Sequence, residues 1–142
     1  MKISAKAEYA CLAVLELAAH YGTGEPVRIK DIADEHGIPA RFLVQILLQL
    51  KGAGFVASTR GAAGGYQLIK PPVEISLGEV MTVIEGQDAE LKTSVSDRSP
   101  TGKVLHDAWQ EIAQKQSHML CSLTYDMLVE RVKQQQEMMY YI

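Results

Sequence analysis

Arg41, Val44, Gln45 and Leu48 recur at i, i+3, i+4 and i+7, so a helix through them gathers a guanidinium, an amide and two aliphatic groups along one edge. Leu43, Ile46, Leu47 and Leu50 fall on a second, wholly apolar edge suited to a core. A helix with only a structural duty seldom sets Val and Leu among polar residues on its outer face. Arginine presents parallel donors, glutamine a donor beside an acceptor, and valine an apolar contact. These are the side chains that match guanine, adenine and the thymine methyl in a DNA major groove. Downstream, Arg60 precedes Gly61, Gly64 and Gly65 in the run RGAAGG. An arginine at a hairpin tip can enter a narrow minor groove, and glycines let the main chain approach phosphates. Lys51 and Lys70 are expected as phosphate contacts, and Lys2 joins the DNA-contacting set.

The charge distribution supports a polyanionic partner although the net charge is −3. Residues 1–70 hold eight Lys/Arg against six Asp/Glu, whereas residues 71–142 hold six against eleven. No acidic residue occurs between Glu35 and Glu74, the interval that contains Arg41, Lys51, Arg60 and Lys70. The result is one basic strip on an acidic chain.

Other chemistry finds less support. Cys11 and Cys121 belong to no CxxC cluster, so neither a disulfide framework nor a conventional zinc site is indicated. His118 and Cys121 share a helical face at i and i+3, with His106 upstream, and three such ligands can hold a metal. Cys121 also continues an apolar stripe beside Leu120, where a thiol packs as a small hydrophobe, and that reading is preferred: no metal is expected. Cys11 is read in the same way. No Ser/His/Asp order, phosphate loop or paired-carboxylate motif points to an enzyme. Glu8 and Glu16 interrupt the N-terminal apolar stretch, and no apolar run approaches the ~20 residues that span a bilayer, so a cytoplasmic protein is expected.

The elements that must position these residues follow from periodicity and punctuation. With 142 residues, 47% of them apolar, the chain suffices for one compact core and an appended element. Ala10, Ala13, Val14, Leu17, Ala18 and Tyr21 mark a first helix, capped by Ser4 and closed by Gly22, and GTGEPV is then a loop. A second helix spans 29–36, with Ile29, Ile32 and Ala33 inward, and Gly37 stops it. Ile38-Pro39 forms a turn into a third helix over 40–51. FVAST and YQLI read as strands of a hairpin. Ser76 with Glu79 is a capping box, opening a helix that ends at Gly86. Residues 87–102 are polar and turn-rich and read as a flexible loop. Val104, Leu105, Ala108, Trp109, Ile112 and Ala113 then describe a long amphipathic helix, and a short last helix begins near Thr124.

Helix, turn, helix and a basic glycine-tipped hairpin is the order of a winged helix-turn-helix. The motif run Gly37-Ile38-Pro39 through Phe42-Leu43-Val44-Gln45, then Gly54-Phe55-Val56, then Arg60-Gly61-Ala62-Ala63-Gly64-Gly65-Tyr66-Gln67-Leu68, resembles the IscR/NsrR/CymR regulator family, the Rrf-two family. The MKIS start and Glu85-Gly86 resemble it too, so the likeness covers nearly the whole chain. It implies a homodimer in which long C-terminal helices cross, bound to pseudo-palindromic DNA with half-sites about one helical turn (~34 Å) or a multiple apart. Iron-sulfur members of the family carry three cysteines in the loop before the long helix, and residues 87–102 contain none. The resemblance is therefore closest to members without the cluster, and no cofactor is expected. Val44 stands where cluster-type relatives often have Glu, and Arg28 where a Ser or Thr cap is common.

The fold expected is mainly α with a small β-hairpin: a winged helix-turn-helix over 1–86, a loop over 87–102 and a helical dimerisation region over 103–142. Leu105, Ala108, Trp109 and Ile112 are the expected dimer interface. The function expected is a dimeric, sequence-specific transcription regulator, acting as a repressor, with the third helix in the major groove and the wing in the minor groove. A small molecule or protein is its expected effector. The alternative is a winged-helix protein-interaction module that does not read DNA.

Overall fold

A computed structural model describes residues 2–86 and 93–140. Among them the chain forms six α-helices and one two-stranded hairpin, a mainly helical fold: α1 (Ala5–Ala19), α2 (Ile29–His36), α3 (Ala40–Gly52), β1 (Val56–Thr59), β2 (Gly65–Leu68), α4 (Leu77–Glu85), α5 (Pro100–Ser122) and α6 (Tyr125–Tyr140). A 3-10 turn, Pro72–Glu74, precedes α4.

The sequence sets most of these ends. The Ser4 side chain accepts from the Ala7 amide, and its own hydroxyl donates to the Glu85 carboxylate, tying the start of α1 to the end of α4. Gly37 closes α2 in the left-handed region at φ 66°, where glycine has no steric penalty. Ser76 caps α4 by accepting from the Glu79 amide at 3.2 Å. The other half of the expected capping box is missing, because the Glu79 carboxylate is held by Lys70.

Helix α1 is the centre of the head and packs on α3, α4 and α6. Ala10, Ala13, Val14 and Leu17 meet Ile32 of α2 and Leu43, Ile46, Leu47 and Leu50 of α3 in one buried cluster, which Val56 and Leu68 of the hairpin extend. Each such leucine or valine withdrawn from water contributes about 1.5–3 kcal/mol before chain entropy is counted. The strands are antiparallel, with Val56 opposite Leu68 and Thr59 opposite Gly65.

Several expectations need correction. Tyr21 is exposed, because α1 ends at Ala19 and the chain turns there, the Tyr21 amide donating to the Ala18 carbonyl. GTGEPV is not wholly a loop: Val27 exchanges two hydrogen bonds with Tyr66, at 2.8 and 2.9 Å, and gives β2 a second edge. The polar loop ends at Ser99, which caps α5, so residues 100–102 are helical with Pro100 in the first turn. Of that loop, residues 87–92 lie outside the described residues. The last helix is long, at 16 residues. Finally, Tyr125 belongs to the core of the head although the chain beyond 103 was expected to serve dimerisation.

Candidate nucleic-acid interface

The third helix is held by its apolar edge. Leu43, Ile46, Leu47 and Leu50 are fully buried, and Ile38 anchors the preceding turn in the same core. Pro39 starts the helix, its carbonyl accepting from the amides of Phe42 and Leu43 at 3.0 and 3.1 Å. The opposite edge therefore faces outward. Arg41, Val44, Gln45 and Leu48 are all exposed, Val44 by 39% and Leu48 by 56%. Phe42, which the periodicity did not single out, is also exposed beside them, with its ring centroid 6.4 Å from that of Tyr9 and 5.7 Å from the Arg41 guanidinium carbon.

Helix α3 packs on β1, and Lys51 Nζ donates to Ser58 Oγ at 2.8 Å across that junction. This neutral partner steadies Lys51 without cancelling its charge. Among the described residues, Arg28, Arg41, Lys51 and Arg60 have no carboxylate within 4.0 Å, so their positive charges are uncompensated. Lys2 is exposed ahead of α1. Lys70 has a different setting. It pairs with Glu79 at 3.0 Å and lies 5.1 Å from the Phe55 ring centroid, at the end of the hairpin away from the tip. Both contacts hold it at the join between hairpin and α4.

The wing glycines divide in the same way. Gly61 is exposed at φ 102° and has open space around it, as a tip meeting phosphate requires. Gly64 is buried, and a Cβ there would lie 2.2 Å from the Thr59 carbonyl oxygen. A Cβ on Gly65 would lie 2.4 Å from the Val27 carbonyl oxygen. Both glycines thus permit close contacts within the protein.

Arg28 was missed as a contributor. It precedes α2 without giving a side-chain cap, and its guanidinium donates to the Ala62 carbonyl at the wing tip. With the Val27–Tyr66 bridge, this fixes the wing to the start of α2 at two points. Between them opens a cleft of about 520 Å³ lined by Arg28, Thr59, Gly61 and Ala62 among others. The one signal in the sequence was the absence of a Ser or Thr cap at residue 28.

The C-terminal helices present a different surface. No residue of α5 is buried, and Leu105, Ala108, Trp109 and Ile112 are exposed, Trp109 by 39% and Ile112 by 49%. His106, His118 and Cys121 do not converge: among the described residues the one His/Cys/Asp/Glu group with ligand atoms within 4.8 Å of one another is Glu16, Glu35 and His36. The Cys121 thiol lies close to Gly78, where a built Cβ would meet Sγ at 3.1 Å. Burial pushes the Cys11 thiol above its ordinary range, which leaves it protonated and a poor ligand or redox centre. Beside it the fully buried Tyr125 donates to the Cys11 carbonyl at 3.0 Å, its phenol also raised by burial.

A recognition helix carried on a helix-turn-helix, with a basic wing pinned beside it, defines the winged-helix transcription regulators. Residues 3–131 match the Rrf2 family, described as an iron-dependent transcriptional regulator, and the chain belongs to that family. It is 34% identical to the HTH-type transcriptional regulator CymR of Bacillus subtilis, over the full length of both. It is 32% identical to IscR of Aliivibrio salmonicida, over 95% of this chain and 82% of that one. The solved structure of CymR, described as the global cysteine regulator of B. subtilis, superimposes with a TM-score of 0.82 and 31% identity over 92% of this chain and 98% of that one. T. potens IscR gives 0.79 and 32% over 96% and 91%. The chain is therefore a winged-helix transcriptional regulator with DNA binding as its family activity, and its named relatives are regulators, not enzymes. No described helix is long and apolar enough to cross a membrane.

Proposed function

We propose that two copies of this chain bind pseudo-palindromic DNA as a cytoplasmic repressor, each placing α3 in the major groove and its wing in the adjacent minor groove. The observation that carries this reading is the outward edge of α3, where Arg41, Val44, Gln45 and Leu48 stand exposed and no carboxylate among the described residues comes within 4.0 Å of Arg41. Arg41 and Gln45 read base edges, Val44 packs on a thymine methyl, and Arg60, Lys51, Lys2 and the Gly61 main chain meet phosphates or the minor groove. The bare apolar face of α5, with Leu105, Ala108, Trp109 and Ile112, is the dimer contact.

An iron-sulfur cluster has no place in this reading. The loop that would supply thiolates has no cysteine, Cys11 is half-buried with its thiol held above the ordinary range, and Cys121 is alone on α5. The donor set does not fit the group that the family description suggests, and the signal is a small molecule or a partner protein. Selection of fragments from genomic DNA, followed by titration over a range of salt, tests the reading. A recovered site with two-fold symmetry and an affinity falling steeply with salt is the expected result. Absence of binding at low salt would sink it and favour the protein-interaction alternative.

A further inference from the structure

One group of ligand-type side chains shares no residue with the DNA-facing surface. Glu16 stands in the last turn of α1, and Glu35 and His36 close α2, so the group spans the junction of the two helices. His36 Nε2 is 2.9 Å from Glu16 Oε2, and one ligand atom from each of Glu16, Glu35 and His36 lies within 4.8 Å of the other two. One turn beyond Glu16, His20 Nδ1 is 2.9 Å from the Glu16 carbonyl oxygen.

The electrostatics of this group are unbalanced. Two carboxylates share the junction, and among the described residues no lysine or arginine nitrogen comes within 4.0 Å of either. Glu16 and His36 are only 18% and 19% exposed at their side chains, so water screens them incompletely. A hydrogen bond between Glu16 and His36 accounts for two of the three groups and leaves the exposed Glu35 without a basic partner within 4.0 Å among the described residues.

We propose that Glu16, Glu35 and His36 form a binding site for a divalent first-row transition cation. Carboxylate oxygens suit Mn2+ and its neighbours, and the imidazole shifts preference away from Mg2+, while the absence of a thiolate disfavours the softest ions. Bonds of about 2.0–2.2 Å to one ion require ligand atoms roughly 3 Å apart. The Glu16–His36 pair already meets that spacing at 2.9 Å, and a carboxylate oxygen of the exposed Glu35 lies within 4.8 Å of both. Such an ion would bind the folded chain alone, since α1 and α2 supply different ligands, and would brace the helix-turn-helix from behind.

The test uses the full-length protein, untagged and stripped of metal, without DNA, so its outcome is independent of the proposed operator reading. Titration with Mn2+, followed by loss of the free-ion electron paramagnetic resonance signal, is expected to show one ion per chain. A rise in Tm should accompany it, and Mg2+ at the same concentration should give none. Glu35→Gln and His36→Gln are each expected to weaken Mn2+ binding about tenfold or more, whereas Asp34→Asn, an exposed neighbour on α2, leaves it unchanged. Should His36→Gln loosen the fold, Glu35→Gln preserves the Glu16–His36 bond and decides the matter alone. No saturable uptake at millimolar Mn2+, or uptake unchanged in Glu35→Gln, overturns the proposal.

Discussion

Helices α3 and α5 carry apolar stripes of the same kind, yet they meet opposite fates. Leu43, Ile46, Leu47 and Leu50 of α3 are all fully buried, whereas α5 buries nothing and leaves Leu105, Trp109 and Ile112 to solvent. The difference lies in the neighbours. The α3 stripe faces α1 and α4 within one head, while α5 packs chiefly on α4. Periodicity tells which face of a helix is apolar. It does not tell whether the covering surface belongs to the same chain.

Substitutions can break or sharpen that contrast. Leu47→Ala should destabilise the chain most, by about 2–5 kcal/mol in denaturant unfolding, because it opens a cavity in a packed core. Trp109→Asp should change the stability of the isolated chain by only about 0.5 kcal/mol or less, yet sedimentation should show monomers. A variant that remains dimeric would place the subunit contact elsewhere.

Within the head, the outer edge of α3 and the wing should also part company. Gln45→Ala is expected to cost about 1–3 kcal/mol on the selected site and almost nothing on random DNA. Equal losses on both would remove its role in base reading. Arg60→Ala should weaken binding to every sequence alike and lower the salt slope by about one, measured by titration at several ionic strengths.

The smallest effect concerns the one point where the C-terminal segment enters the core. Tyr125→Phe removes the bond to the Cys11 carbonyl and should cost about 1 kcal/mol at neutral pH. Burial holds this phenol above its ordinary value, so the unfolded chain ionises first. Stability is then fully present below about pH 10 and falls as pH rises beyond it. The Phe variant should show a shallower alkaline decline in thermal unfolding.

How much of this was legible in the sequence depended on the range of the interactions. The bounds of α2 and the two edges of α3 follow from spacing and from Gly37, and both appear as read. Gly61, Arg60 and the bare stripe of α5 were likewise accessible, being local features. Lys70 and Glu79 were each read singly, and their pairing across nine residues engages the ammonium of one and the capping-box carboxylate of the other together. The Val27 bridge has no period to detect, because a single residue forms it. Arg28 acts on a carbonyl 34 residues away, so only its failure to look like a cap was visible. The start of α5 was legible and outweighed: Ser99-Pro100 is a proper helix opening, set in a polar stretch that read as loop.

The seating of Tyr125 makes chain order a poor guide to where this protein can be cut. Its ring fills the underside of α1, and its amide donates to Ile75 while the Leu77 amide donates to Leu123, so the link from α5 to α6 is stitched into the first half of the molecule. A fragment ending after α4 would retain α1 to α4 and the hairpin and lack the plug that closes them. Expressed alone, it should be looser and stickier than its own length suggests, and the tail from Tyr125 onward counts as a structural part of the head it follows in sequence.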